Sequence, residues 1–378
     1  MTLRGYFDNS ATTRPCEEAV NAVNIALREC WGNPSSLHFK GTESERLLED
    51  SRRSVASLLS CESEEIYFTS GGTEGNNLAV FGAAHKLRRN GNRIVSTSIE
   101  HPSVDEALTQ LGREGFEIIR IKPDSFGRIA EEDIISAVNS DTILVTMMLV
   151  NNEVGSIIPV RAAKRAVTRA KAPALIHCDA VQAFGKIPVK PSQLGADIVT
   201  VSSHKIHGPK GVGAIYIKNG VKILPRAFGG EQESHIRPGT QAMPAVAGFG
   251  AAAEAIGDMK ESLESVTLIR DYMLKRFKEI GGIKINSAPD ALPYITNISV
   301  IGIKSEPMLN YLSSEGICVS SGSACSKGKR SRVLTEMGLD KEAMESPLRI
   351  SFSRFTTKEE TDRLVDAVAS GKSGIRSK

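Results

Sequence analysis

Apolar positions along the chain switch repeatedly between two spacings. Residues 43–59 place them three and four apart, which predicts an amphipathic helix, and the short apolar run at 65–69 predicts a strand. The alternation continues with a helix over 73–87 and strands at 93–97 and 117–121. A helix over 131–138, a strongly apolar strand at 142–149 and a helix over 160–170 follow. Strands separated by helices predict a mainly parallel sheet with helices on both faces. Residues 245–277 keep helical spacing almost throughout, weakly interrupted by Gly248, Gly250 and Gly257, and suit a connection between two domains. Beyond them, strands at 295–301 and 348–352 alternate with helices such as 358–369, which suggests a smaller α+β unit. The polar, basic end at 371–378 reads as a frayed tail.

With 378 residues the chain can bury two cores. The expected division is a large domain over 15–250 and a small one made of 1–14 and 251–378. A net charge of +3, with basic residues scattered among acids, gives no reason to expect nucleic acid. No apolar stretch is long enough to cross a bilayer, and Met1-Thr2-Leu3-Arg4-Gly5 leads into no apolar leader segment, so the expected location is the cytoplasm. The six cysteines, at 16, 30, 61, 178, 318 and 325, form no C-x-x-C pair and no zinc-type Cys/His spacing, so no metal site is expected.

Two stretches carry most of the chemistry. Asp179 opens Asp179-Ala180-Val181-Gln182 after an apolar run, and Lys205 stands in S-S-H-K-I-H-G-P-K-G after another. A lysine amine that can hold an aldehyde as a Schiff base, with a carboxylate that can keep a ring nitrogen protonated, is what pyridoxal phosphate (PLP) needs. The same positions would also suit polar residues that merely end buried strands. Ligands, however, collect at the carboxyl ends of strands in open α/β sheets. In the second stretch, Ser320-Ser321-Gly322-Ser323-Ala324-Cys325-Ser326-Lys327-Gly328-Lys329-Arg330, every neighbour of Cys325 is small, polar or basic. An exposed loop is expected there, with nearby cations favouring the thiolate. Cys318, between Ile317 and Val319, reads as inert packing.

Other positions fill out a site. Thr69-Ser70-Gly71-Gly72-Thr73-Glu74 joins a strand to a helix, and glycine backbone with a helix N-terminus suits a phosphate, to which Thr73 adds a hydroxyl. His101 follows a strand and could stack on a cofactor ring or move protons, or serve only the start of a helix. Asn152, directly after the most apolar strand, could bond a substrate or simply make a turn. Arg349, a cation inside an apolar strand, needs an anionic partner: a substrate carboxylate or an internal salt bridge.

In order, these phrases resemble the cysteine desulfurases of the NifS/IscS type, a branch of the class V aminotransferase fold. The matching phrases run from Y-F-D-N-S-A-T-T at Tyr6 and G-N-P-S-S-L-H at Gly32 through T-S-G-G-T-E at Thr69, E-H-P-S-V at Glu100, N-N-E-V-G at Asn151 and H-C-D-A-V-Q at His177. They continue with S-S-H-K-I-H-G-P-K-G at Ser202, R-P-G-T at Arg237, S-S-G-S-A-C-S at Ser320 and L-R-I-S-F at Leu348. The resemblance implies an α/β protein of the fold type I PLP-dependent transferases, a large domain with a mainly parallel sheet plus a smaller α+β domain. It implies conversion of L-cysteine to L-alanine, with the sulfur taken onto Cys325 as a persulfide. An acceptor protein would then receive it, either an iron–sulfur scaffold or a tRNA-thiolating enzyme. By resemblance, Lys205 is the Schiff-base lysine, Asp179 the pyridinium partner, Gln182 a donor to the cofactor's phenolic oxygen and His101 the stacking imidazole. Gly72, Thr73, Ser202 and His204 then hold the phosphate, joined by Thr240 from the second subunit of a homodimer. Asn152 and Arg349 grip the substrate carboxylate. The chain departs from the family's G-G-G-Q-E at Gly229-Gly230-Glu231-Gln232-Glu233, and Gln241-Ala242 stands where E-N is usual. Within the same fold, the alternative is a selenocysteine lyase or another class V aminotransferase-like lyase; outside catalysis, it is a non-catalytic sulfur-system binding protein.

Overall fold

The computed structural model describes residues 2–322 and 330–375; Cys325 lies outside the described residues. A seven-stranded sheet forms the centre, in the spatial order Ile66–Thr69, Gly213–Ile217, Ile198–Ser202, Leu175–Asp179, Thr142–Met148, Arg93–Thr97, Glu117–Ile121. Five of these neighbours run parallel, from Ile198–Ser202 to Glu117–Ile121, and Gly213–Ile217 is antiparallel to the strands on both sides of it. The inner strands are buried throughout, as expected for a sheet covered on both faces. One apolar layer joins Leu78, Phe81 and Ala84 to Val104, Leu108 and Leu111. The other is far larger and runs from Val55, Val145 and Val199 through to Leu292, Leu348 and Leu364.

The carboxyl-terminal part is built on an antiparallel sheet of Ile283–Ile285, Ile295–Val300 and Pro347–Ser351. The helices Met259–Ile280, Ser305–Ser314 and Lys358–Gly374 accompany it, and the short strand Gly5–Tyr6 pairs with Ile317–Cys318. It meets the large sheet at the turn after Thr142–Met148. Gly155 has φ +75° there, and a Cβ on it would lie 2.7 Å from the carbonyl oxygen of Ile295, so only glycine fits.

Most element positions expected from spacing hold within a few residues. Three differences have plain causes. The helix expected from 43 begins at Phe39, because His38 caps it by accepting from the Gly41 N–H at 3.3 Å. The 245–277 stretch is two helices, Met243–Glu254 and Met259–Ile280. Gly257, at φ +68°, ends the first, and Asp258 caps the second, while Gly248 and Gly250 lie inside the first because Pro209 and Ser51 approach them too closely for a side chain. The expected frayed tail is corrected over 371–375, where the last helix continues to Gly374 and Gly371 is buried with Tyr311 and Met308 leaving no room for a Cβ; residues 376–378 lie outside the described residues.

Candidate active site

The parallel strands deliver their next residues to one end of the sheet, and a pocket of about 250 Å³ opens there. Asp179 ends its strand, Lys205 closes the single turn Ser203–Lys205 after the neighbouring strand, and His101 caps the helix Pro102–Arg113 beyond Arg93–Thr97. All three line the pocket with Gly72, Thr73, Gln182, Ser202, His204, Asn152 and Arg349. Thr240 does not join them: it is exposed and lies outside this pocket, next to Gly239, whose N–H donates to Gln232 Oε1 at 3.0 Å.

Asp179 is held firmly. Oδ1 accepts from the Val181 N–H at 3.0 Å and Oδ2 accepts from Asn76 Nδ2 at 2.7 Å. The amine of Lys205 donates to the carbonyl oxygens of Ser10 and, at 2.9 Å, Ala11. Gln182 donates from Nε2 to the Ser10 carbonyl at 3.0 Å, and its Oε1 accepts from the buried Lys186 amine at 3.1 Å, which fixes the amide orientation. Burial, reinforced by the cations of Lys205 and Arg349, pulls the Lys186 amine down to about 7.

The site favours neutral imidazoles beside a fixed carboxylate. Burial lowers the pKa of His101; the Asp179 charge opposes this and the Lys205 charge adds to it. His204 is pulled down to about 4 by burial and then by Lys205. Next to His101, the side chain of Glu100 accepts from Thr97 Oγ1 at 2.6 Å and the Met148 N–H at 3.1 Å, and burial with the nearby Asp179 charge raises its carboxyl to about 8.

The residues present fit a phosphate-bearing aromatic aldehyde. Ser202 Oγ is buried with no hydrogen-bond partner among the described residues, beside the N-terminus of the helix Gly72–Leu87. A Cβ on Gly72 would lie 2.9 Å from the Val181 side chain, so only glycine lets this helix N-terminus pack against that pocket wall beside Ser202. Opposite, Arg349 is 1% exposed, with Nε unpartnered among the described residues. A carboxylate acid group of a small substrate would satisfy that donor.

Sequence reasoning missed four residues of this site. Asn76 bridges Asp179 and Ser103, and Lys186 orients Gln182. Asp8, inside the Y-F-D-N phrase, pairs with Arg349. The signal for Asn76 was present: it lies three residues after Thr73, on the same helix face. Ser103 gave no such signal, because its role depends on a contact between separate helices.

The chain's kinship agrees with this geometry. An aminotransferase class-V family model matches residues 5–364. Cysteine desulfurase IscS of Dictyoglomus turgidum is 38% identical over 373 residues, covering 97% of this chain and 94% of that protein. Cysteine desulfurase IscS of Methanosarcina thermophila is 37% identical, covering 96% and 90%. Among solved structures, a NifS-like protein superposes with a TM-score of 0.93 at 35% identity, covering 99% of this chain and all of that one. A NifS-like protein from Rickettsia africae gives 0.85 at 30% identity, covering 98% and 99%. With matches that run nearly end to end in sequence and in backbone, the chain belongs to the class-V aminotransferase family.

Proposed function

We propose that the chain is a PLP-dependent cysteine desulfurase acting as a homodimer, in which residues 15–250 form the cofactor-binding unit and 1–14 with 251–378 form the unit carrying Cys325. The observation that carries the reading is the convergence of Lys205, Asp179 and His101 at one strand-end pocket, with the Arg349 guanidinium facing the same space. When bound, PLP supplies an aldehyde that condenses with amines and a ring that takes up the electron pair left by a departing proton.

The chain's own groups do the rest. Gly72, Thr73, Ser202 and His204 hold the phosphate, with Thr240 arriving from the partner subunit. Gln182 donates to the phenolic oxygen, and the Asp179 carboxylate keeps the ring nitrogen protonated. Arg349 and Asn152 hold the carboxylate of L-cysteine, and the Lys205 amine removes the Cα proton. The Cys325 thiolate attacks the substrate sulfur. One S–S bond forms and one C–S bond breaks, so L-cysteine and the thiol become L-alanine and a persulfide on Cys325. An acceptor protein serving iron–sulfur cluster assembly or tRNA thiolation then takes the sulfur in the cytoplasm. No helix among the described residues is long and apolar enough to cross a membrane.

The test is to incubate the purified, PLP-loaded protein with L-cysteine, measure alanine, and weigh the peptide containing Cys325. Alanine with one added sulfur on that peptide is expected. Alanine from selenocysteine alone would make the protein a selenocysteine lyase, and a protein that binds no PLP would sink the enzyme reading.

A further inference from the structure

Asn76 sits in the first turns of the helix Gly72–Leu87, 1% exposed, between two residues of the pocket. Nδ2 is 2.7 Å from Asp179 Oδ2 and 2.9 Å from Ser103 Oγ. The ionised carboxylate only accepts, so the amide must present its NH₂ group there, and both N–H bonds are used. The cost is visible: Asn76 Oδ1 is buried without a partner among the described residues. Ser103 Oγ, having accepted from Asn76, has one proton to give, and His101 Nδ1 lies 2.8 Å away. The backbone N–H of Ser103 points at the same nitrogen from 3.2 Å, since His101 caps its helix. Two donors aimed at Nδ1 leave no place for a proton on it.

We propose that Ser103 and Asn76 are positioning residues that hold His101 as its Nε2–H tautomer, through a hydrogen-bonded chain anchored on the Asp179 carboxylate. The inference rests on the PLP reading of the pocket, to which it adds the orientation and proton position of the imidazole. Asp179 thereby acts twice, on the ring nitrogen of a bound cofactor and, through Asn76 and Ser103, on the imidazole. The donor Nε2–H is left as the nitrogen that meets the contents of the pocket. A tautomer set this way presents His101 to the pocket as a hydrogen-bond donor through Nε2–H.

The test uses protein labelled with ¹⁵N in histidine, with its imidazole nitrogens observed by two-bond proton–nitrogen correlation, both with and without added PLP. Loss of a signal in His101→Gln assigns the residue among the seven histidines. The expected wild-type pattern is a protonated Nε2 and an Nδ1 that accepts. Ser103→Ala should move the Nδ1 resonance towards its unbonded value and populate the Nδ1–H tautomer. Asn76→Ala should shift it less in the same direction, and Ser103→Thr should restore the wild-type pattern. A structural role alone would lower stability without moving these signals. A wild-type His101 protonated on Nδ1, or a Ser103→Ala spectrum that superposes on wild type, overturns the proposal; if Ser103→Ala does not fold, the wild-type and Ser103→Thr spectra still decide it. A wild-type protein that never develops a PLP absorbance band refutes the cofactor reading instead, and the imidazole spectrum is read independently of that band.

Discussion

Arg349 and Asp8 are bound to each other across nearly the whole chain, with Nη2 of the arginine 2.8 Å from Oδ1 of the aspartate. The same guanidinium donates from Nη1 to the Asn152 carbonyl at 3.0 Å, so an internal ion pair and a pocket-facing cation are one arrangement. Asp8 orients the fork, and Nε is kept for something else.

Replacing Asp8 by asparagine should therefore cost stability as well as orientation. A buried cation left with neutral partners is unfavourable by several kcal/mol, and the partial exposure of Asp8 reduces this to about 2 kcal/mol. Urea denaturation of Asp8→Asn should show a lower midpoint at unchanged slope. An unchanged midpoint would mean that Arg349 draws no net stabilisation from the pair.

A second buried pair secures the segment Gly229-Gly230-Glu231-Gln232-Glu233. Glu233 accepts from both terminal nitrogens of Arg52, at 2.8 and 3.0 Å, and from the Phe68 N–H at 2.7 Å. It does so in a left-handed backbone conformation, φ +46°, which the ion pair must hold in place. Glu233→Gln keeps the shape and removes the charge, and should lower stability by about 3 kcal/mol. Because Phe68 leads into Thr69 and the helix at Gly72, PLP affinity measured by absorbance titration should fall in the same variant. Loss of stability with unchanged affinity would separate this loop from the pocket.

Acid should destabilise the fold through its buried imidazoles. Burial holds His177 at about 3 and His204 and His207 at about 4, against 6.5 in the unfolded chain. Their contribution is present above pH 6.5 and is lost as pH falls through 4 and then 3, because the unfolded chain takes up protons that the folded chain refuses. Glu100 acts oppositely: raised to about 8, its contribution is full below its unfolded value and is lost as pH rises towards 8. With His101, four lowered imidazoles oppose the raised carboxyls of Glu100 and Glu153, so the free energy of unfolding should fall as pH drops from 6.5 to 4.5. His177, enclosed between the Thr146 and Thr200 hydroxyls, offers the clean check. His177→Asn should make that slope shallower by about 1.4 kcal/mol per pH unit. An unaltered slope would place the proton uptake elsewhere.

The sheet was legible in the sequence because its strands are short apolar runs bounded by turn residues and separated by helices, so local pattern and final burial coincide. Lys205, Asp179 and His101 were legible for a related reason: each stands at the carboxyl end of such a strand or within four residues beyond it, and strand ends are where ligands gather. The Asp8–Arg349 and Arg52–Glu233 pairs were not, because each joins residues far apart in the chain and no local spacing encodes them. Lys186 was hidden differently: a lysine after Phe184-Gly185 looks solvated, and only the closed fold buries it against Gln182. The long helical run at 245–277 misled because helical spacing continues through Gly257, whose positive φ breaks the helix without disturbing the apolar pattern on either side.

Two substitutions should divide the proposed reaction at its middle. Lys205 lines the pocket beside Asp179, and its amine is the base the reading requires; Cys325 belongs to the segment of small and basic residues at 323–329. Lys205→Ala should lose the visible absorbance of PLP attached to the protein and slow alanine formation by about a thousandfold or more, the scale of a missing general base. Cys325→Ala should keep that absorbance and still change spectrum when L-cysteine is added, since the groups that bind cofactor and substrate carboxylate are intact. It should nevertheless acquire no sulfur, as weighed by mass spectrometry, and should release little alanine, because the electron pair has no thiolate attack to complete the C–S cleavage. The two variants mixed in equal amounts add a test of the dimer. If Thr240 completes the neighbouring pocket while each Cys325 serves one site, mixing yields activity only when a heterodimer pairs a working Lys205 with a working Cys325 in the same site. Recovery of about a quarter of wild-type activity after subunit exchange would place Lys205 and Cys325 of one site on different subunits, and continued inactivity would keep them on one chain.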